Sequence, residues 1–398
     1  MSSDFLPYGK HSVDDDDIAA VVDVLRNGQL TCGPKIEEFE EAFAEKIGCN
    51  HAIVVSNGTT ALHLALLASG FKRGDVAIVP TLTFLATANA VEMIGGIVEF
   101  ADVCPETGLM TPETFEEALN QVDGPVSAVL PVHLTGQMCA MPAIKALADL
   151  NNIKVISDCC HALGAEYASG GRPGDGAYEG FACYSLHPVK SIAMGEGGVV
   201  TTNSCKDAEQ LRLLRSHDMR RSSEQLERQD LAFDGSGMQN PWYYEMHELG
   251  YNYRATDFQC ALALSQLKKL DAFVERRRYL AEKYDALLAD LSNVIRPNLR
   301  MSDSLSAWHL YAVNVDFGSI GIERGDFMRA MQKHNVGSQV HYIPVHLQPY
   351  YLNKYGEKKL PGALEYYEHT LSLPLFPAMK DTDPERVVAV LRSVIGCC

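Results

Sequence analysis

Short apolar, β-branched runs alternate with helical ones through the first half of the chain, and that alternation restricts the fold more than any other feature. HAIVVS (51–56) precedes GTTALHLALLAS (58–69), and DVAIVP (75–80) precedes TFLATANAVEMI (83–94). GIVEF (96–100), VSAVLP (126–131) and NIKVISD (152–158) follow. The rhythm is that of helices laid over a parallel or mostly parallel sheet, an α/β architecture. Ahead of it, Ile18, Val21, Val22 and Leu25 share one face of a helix that begins among aspartates and stops at Gly28. Pro34 opens a second helix through Ile36, Phe39, Phe43 and Ile47, closed by Gly48.

The 398 residues exceed the roughly 250–300 at which single cores stop growing, so two structural parts are expected. Residues 1–254 would form an N-terminal arm and a large domain. Residues 255–398 would form a long connecting helix (Ala255 to Asp290) and a smaller α+β part. AWHLYAVNV, a helix near Arg324 to His334, and SQVHYI belong to that part, while the polar stretch from Met219 to Met246 reads as a long loop.

Composition excludes several function classes. The chain has 46% hydrophobic and 21% charged residues, as a soluble globular protein does. No apolar run nears the ~20 residues that span a bilayer. The start, MSSDFLPYGKHSVDDDD, lacks the basic and apolar regions of a signal peptide, so a cytoplasmic location is expected. A net charge of -17 without a clustered basic face argues against nucleic-acid binding. The 11 cysteines include the adjacent pairs Cys159-Cys160 and Cys397-Cys398 but no CxxC. They suit reduced thiols, and no metal site is expected.

Chemistry concentrates in FACYSLHPVKSIAMGEGGVVTTN (181–203), where Lys190 stands in a turn between two strand-like runs. Gly58, Thr59 and Thr60 lie where a strand meets a helix, so backbone N–H groups, hydroxyls and the helix dipole make a phosphate site there. The same residues also read as an ordinary helix cap. Asp158 ends a strand with His161 just beyond, which points a carboxylate into the crevice of an α/β protein or caps the next segment. Phe84, at another strand-to-helix junction, is a flat wall or a core residue. Lysine, strand-end aspartate, aromatic wall and phosphate cradle together form a set that suits pyridoxal 5'-phosphate (PLP). The lysine amine would take up the aldehyde, and the aspartate would keep the pyridine nitrogen protonated.

The segment CYSLHPVKSIAMGEGGVVTTN resembles the lysine motif of the DegT/DnrJ/EryC1/StrS sugar aminotransferases, enzymes of PLP-dependent aminotransferase fold type I. The resemblance continues through SNGTTALHLALLA, PTLTFLATANA, SDCCHALGAEY, LGYNYRATDFQCALALSQLKKLDAF and VHYIPVHLQPYY, nearly the whole chain. It implies Lys190 as the cofactor-linked lysine, Asp158 at the pyridine nitrogen, Phe84 on the ring and His161 beside O3'. Gly58, Thr59, Ser185 and Thr60 would take the phosphate, with Asn252 reaching it from the neighbouring subunit of a homodimer.

Within that family, NPWYYEMHELGYNYR and QVHYIPVHLQPYY are most similar to the 4-aminotransferases of pseudaminic acid synthesis. The similarity implies a UDP-4-keto-6-deoxy-N-acetylhexosamine as substrate and L-glutamate as amino donor. Tyr8, Lys10, His187, Trp242, Arg254, His341 and Tyr342 are the candidates for substrate contact. Related sugar dehydratases carry histidine where this chain has Lys190, which counts against dehydration. Amination at C3 or C4 of another nucleotide sugar stays open, as does a non-enzymatic PLP-binding regulator.

Overall fold

A computed structural model describes residues 5–396, so Cys397 and Cys398 lie outside the described residues. Seven strands form one sheet in the order His51–Val55, Gly198–Thr202, Phe181–Ser185, Lys154–Asp158, Val126–Val129, Val76–Pro80, Ile97–Ala101. Gly198–Thr202 pairs antiparallel with both neighbours, and the other pairings are parallel. The chain is therefore an α/β protein with the mostly parallel sheet its sequence implies. The strands are buried on both faces and so read as continuous apolar runs.

The helix Gly58–Ala68 starts at Asn57, whose side chain and that of Thr60 close a reciprocal capping box. It is buried from Thr60 to Leu66, because it packs onto the sheet and against the helix Leu85–Ile94. A second, smaller sheet of Ile295–Pro297, Tyr311–Val315 and Thr370–Leu373 has its own apolar core with Leu280, Tyr284, Phe327 and Leu391. The helix Leu270–Leu288 serves both cores: Leu270 and Val274 belong to the first, Leu280 and Leu288 to the second.

Four local expectations need correction. The helix Asp15–Asn27 leaves Ile18 and Leu25 more than half exposed and buries Asp17 and Val24 instead. Its inner face is polar because Asp17 accepts from Gln266 Nε2 (2.6 Å) and pairs with Lys269 (2.9 Å). The single long helix from Ala255 is two, Asp257–Leu267 and Leu270–Leu288, separated where Lys269 meets Asp14 and Asp17. SQVHYI forms no strand: Gln339 makes one isolated bridge to Ser372, and the His341–Tyr342 peptide is cis. The stretch 219–246 carries the paired strands Met219–Arg220 and Glu245–Met246, drawn together by Asp218, which accepts from the N–H groups of His247 and Glu248.

Under the sheet, Glu179 is 5% exposed, accepts from Gly174 N–H (2.5 Å) and leaves Oε2 without a partner. Burial pushes its carboxyl from 4.5 up to about 7, against the Gly174 N–H. A carboxyl raised on folding contributes stability that is complete below its unfolded value and is lost as pH rises through its folded one. Glu179→Gln should therefore gain stability over the parent between pH 5 and pH 8, on the order of 2–3 kcal/mol. Urea unfolding at the two pH values measures this, and an unchanged difference would mean that Glu179 does not titrate in that window.

Candidate active site

Lys190 follows the strand Phe181–Ser185 in a turn closed by its own N–H to His187 O (2.8 Å). Burial lowers its pKa from the ordinary 10.5, with Cys160 and Asp158 acting in the opposite direction. The neutral amine needed to attack a carbonyl is thus more accessible than in water.

Asp158 ends the strand Lys154–Asp158 and is 5% exposed. Thr87 Oγ1 donates to its Oδ2 (2.7 Å) and the Cys160 N–H to its Oδ1 (3.0 Å). Its backbone is fixed as well, accepting from His133 N–H and donating to Pro131 O. Both oxygens of the carboxylate thus have a donor, and the side chain is held in one orientation at the strand end. Thr87 lies one helical turn beyond Phe84, the N-cap of the helix Leu85–Ile94. The Phe84 ring is 57% exposed and 5.9 Å from that of Tyr342, leaving a face free for a planar ligand.

His161 lies between two polar neighbours. Its Nδ1 accepts from Thr135 N–H (3.3 Å) and its Nε2 meets Tyr342 Oη (3.2 Å). Burial first, then Lys190 and His341, holds its pKa well below 6.5, so the ring is neutral with its proton on Nε2. The His309 ring lies against it, tilted by 46° with centroids 4.3 Å apart, and burial likewise keeps it neutral. His341 bonds Ser372 Oγ (2.8 Å), and burial lowers it to about 3.

The phosphate end is a backbone cradle. A Cβ at Gly58 would lie 2.9 Å from Ser185 Cβ and 3.3 Å from Cys160 Sγ, so no side chain fits between the helix start and the strand end. Thr59 and Ser185 are half-buried beside it. Thr60 is a correction: its hydroxyl donates to Asn57 O (2.8 Å) and its N–H to Asn57 Oδ1 (2.9 Å). Both donors serve the helix cap, so neither is available to a phosphate. The side-chain-free cradle, the buried strand-end carboxylate, the exposed Phe84 face and the lysine of lowered pKa fit PLP.

The substrate candidates divide. Tyr8 lies 5.5 Å from His341, Tyr342 touches His161, and Lys10 borders the same narrow cleft as Lys190 and Arg277. His187 is exposed at the turn. Trp242 is 72% exposed. Arg254 lines a cavity with Glu40, Arg212 and Arg215, apart from the cleft beside Lys190. Asn252 is exposed on an extended stretch bridged to Ser216. Sequence reasoning missed Thr87, His309 and Arg277. The one signal for His309 was a histidine inside an apolar run.

Comparison with known proteins agrees with this geometry. The model of the DegT/DnrJ/EryC1/StrS aminotransferase family matches residues 11–392. Spore coat polysaccharide biosynthesis protein SpsC of Bacillus subtilis is 36% identical, over 98% of this chain and 97% of that protein. The structure of Helicobacter pylori PseC, an aminotransferase of pseudaminic acid biosynthesis, superposes with a TM-score of 0.88 at 26% identity, covering 99% of this chain and 100% of PseC. The PMP form of the putative sugar aminotransferase Spr1654 of Streptococcus pneumoniae also gives 0.88, at 25% identity over 98% and 99%.

Borohydride reduction of the PLP-loaded protein should attach a pyridoxyl phosphate to Lys190 alone, and Lys190→Ala should lose both tag and turnover. Peptide mass spectrometry reads the tag; normal turnover in the variant would refute the assignment. Asp158→Ala should fold but slow the half-reaction with glutamate by at least about a hundredfold, the scale at which loss of a preorganised charge is felt. Single-turnover absorbance follows it, and a rate near that of the parent would mean that another carboxylate meets the ring.

Proposed function

The chain belongs to the DegT/DnrJ/EryC1/StrS aminotransferase family and is a PLP-dependent sugar aminotransferase of fold type I, and from that premise we propose which amino group it moves and where. L-Glutamate is the donor and C4 of UDP-2-acetamido-2,6-dideoxy-β-L-arabino-hexos-4-ulose the acceptor. The product is UDP-4-amino-4,6-dideoxy-N-acetyl-β-L-altrosamine. The observation that carries this reading is the end-to-end superposition on PseC, together with the Trp242-Tyr243-Tyr244 segment.

Bound PLP supplies an aldehyde that accepts and returns the amino group, and a ring that takes up the electron pair released at carbon. Lys190 Nζ removes the proton from glutamate Cα in the first half-reaction and delivers one to sugar C4 in the second. Asp158 keeps the pyridine nitrogen protonated throughout, held in place by Thr87 and the Cys160 N–H. Neutral His161 presents hydrogen-bonding capacity beside the ring without adding charge. Glutamate loses two electrons and leaves as 2-oxoglutarate, taking up one water. The ketone gains them and becomes an amine, releasing one water.

The working unit of this proposal is a homodimer with shared sites. Tyr251 and Tyr253 stack on each other (4.9 Å) over the helix Gly58–Ala68, so Asn252 between them points the other way, as side chains alternate in extended chain. That direction suits a phosphate on a second subunit. The helix Leu270–Leu288 would join a large domain (1–254) to the smaller part (255–398). The nine described cysteines are all free, which fits a reducing cytoplasm. A second reading, amination at C3 or C4 of another nucleotide keto-sugar, is kept because SpsC, a spore coat polysaccharide biosynthesis protein, is 36% identical over nearly its whole length.

Incubation with glutamate and a panel of UDP- and dTDP-keto-sugars, with products assigned by NMR, should give the 4-amino UDP-sugar. Preferred turnover of a dTDP-sugar, or amination at C3, would replace the first reading with the second. Mixed refolding of Lys190→Ala with Asn252→Ala, each strongly impaired alone, should restore on the order of one quarter of parental activity by the symmetry of random pairing. No recovery despite proven subunit exchange would put Asn252 in the same subunit as its lysine.

A further inference from the structure

His63 sits in the helix Gly58–Ala68 among alanines and leucines and is 2% exposed. Leucine would fill such a position with no polar atom to desolvate. Burial keeps the imidazole neutral, with a pKa near 4, and Nε2 has no partner. Its remaining interactions converge on one place. Nδ1 bonds Tyr253 Oη (3.3 Å), and the ring meets Tyr251 edge-on at 5.0 Å and Tyr253 at 5.9 Å.

Those tyrosines flank Asn252, and their backbone is fastened at both ends. Tyr251 N–H donates to Leu214 O (2.7 Å), Tyr253 N–H to Arg215 O (3.0 Å), and Ser56 N–H to Tyr253 O (2.8 Å). The backbone bonds fix where the segment runs. His217 N–H to Tyr251 O (2.9 Å) adds to them, and the side chains on the inward face of the segment, the two tyrosine rings, rest on His63.

We propose that His63 is a positioning residue for the neighbouring subunit's cofactor site, acting through the Tyr251–Tyr253 pair to aim Asn252 at the phosphate bound across the dimer. The proposal rests on the reading that Asn252 acts in trans. One helix then serves two sites: its first turn, at Gly58, cradles the phosphate of its own subunit, and His63 sets the arm that reaches the partner's.

Tandem-tagged heterodimers test this. In the first, His63→Leu lies on the subunit that keeps Lys190, and the partner carries Lys190→Ala. In the second, His63→Leu and Lys190→Ala share one subunit, and the partner is unaltered. Each has a single lysine that can be trapped, so borohydride capture of PLP on the Lys190 peptide, titrated against PLP concentration, reads one defined site. The first heterodimer should half-saturate where a Lys190→Ala/parent heterodimer does. The second should need at least about tenfold more PLP, since a hydrogen bond to a charged group such as phosphate is worth about ten- to a hundredfold in affinity.

The reverse pattern would mean that His63 supports its own cradle, and equal effects would mean a general structural role; either overturns the proposal. Asn252→Ala in the same two arrangements is the control. If it impairs the first heterodimer instead of the second, the trans reading itself has failed. Tyr253→Phe, which removes only the hydroxyl, gives the same comparison should His63→Leu not fold, and His63→Gln should recover part of the loss if the bond to Tyr253 is what matters.

Discussion

A carboxyl group buried at the carboxyl end of a parallel sheet needs hydrogen-bond partners to offset the cost of its burial. Asp158 is given two, the Thr87 hydroxyl and the Cys160 N–H, and meeting that requirement organises the surrounding segments. Thr87 fixes the start of the helix whose N-cap is Phe84, and with it the aromatic wall. Cys160 opens the turn that carries His161. The bonds of Asp158's own backbone to Pro131 and His133 bring in the turn whose Thr135 N–H meets His161. One oxygen pair thus sets the position of wall, histidine and strand end together.

Around that carboxylate the basic groups are kept uncharged. His161, His309 and His341 are all neutral through burial, and the amine of Lys190 is eased toward neutrality by the same cause. Cationic imidazoles in one pocket would repel one another. Neutral ones keep both lone pair and N–H for directional bonds. Arg277 is the buried cation nearby, and its Nη1 is turned to the carbonyls of Trp308, His309 and Leu375.

The residues whose placement was legible in the sequence are those set by local backbone. Lys190, Asp158, Gly58 and Phe84 each stand at a strand end or helix start, where backbone direction alone decides what faces the crevice. Thr60 misled for a related reason: a hydroxyl at a helix start serves a cap or a ligand with the same local sequence, and only the reciprocal bonds to Asn57 separate the two. Ile18 and Leu25 misled because amphipathic pattern reports that a face is apolar and says nothing of what covers it. Thr87, His309 and Arg277 were out of reach because their partners lie 71, 32 and 98 residues away in the chain. SQVHYI alternates as a strand should, yet it has only Ser372 to pair with.

The joint between the two cores explains two unusual backbone positions. Thr135 adopts φ 61° and Gly136 φ 100°, and between them they direct the Thr135 N–H at His161 and expose two carbonyls. Ala307 and Leu310 N–H bond those carbonyls, at Gly136 O and Thr135 O. The approach is so close that a Cβ on Gly136 would stand 2.9 Å from Trp308 N and 3.0 Å from His309 N. The same turn therefore orients His161 from the large sheet's side and lays His309 against it from the other. Because both contacts pass through the Thr135–Gly136 turn, the segment that carries His309 is tied to the hydrogen bond that fixes the His161 tautomer. The site's protonation pattern is in this way tied to how the two parts of the chain fit together.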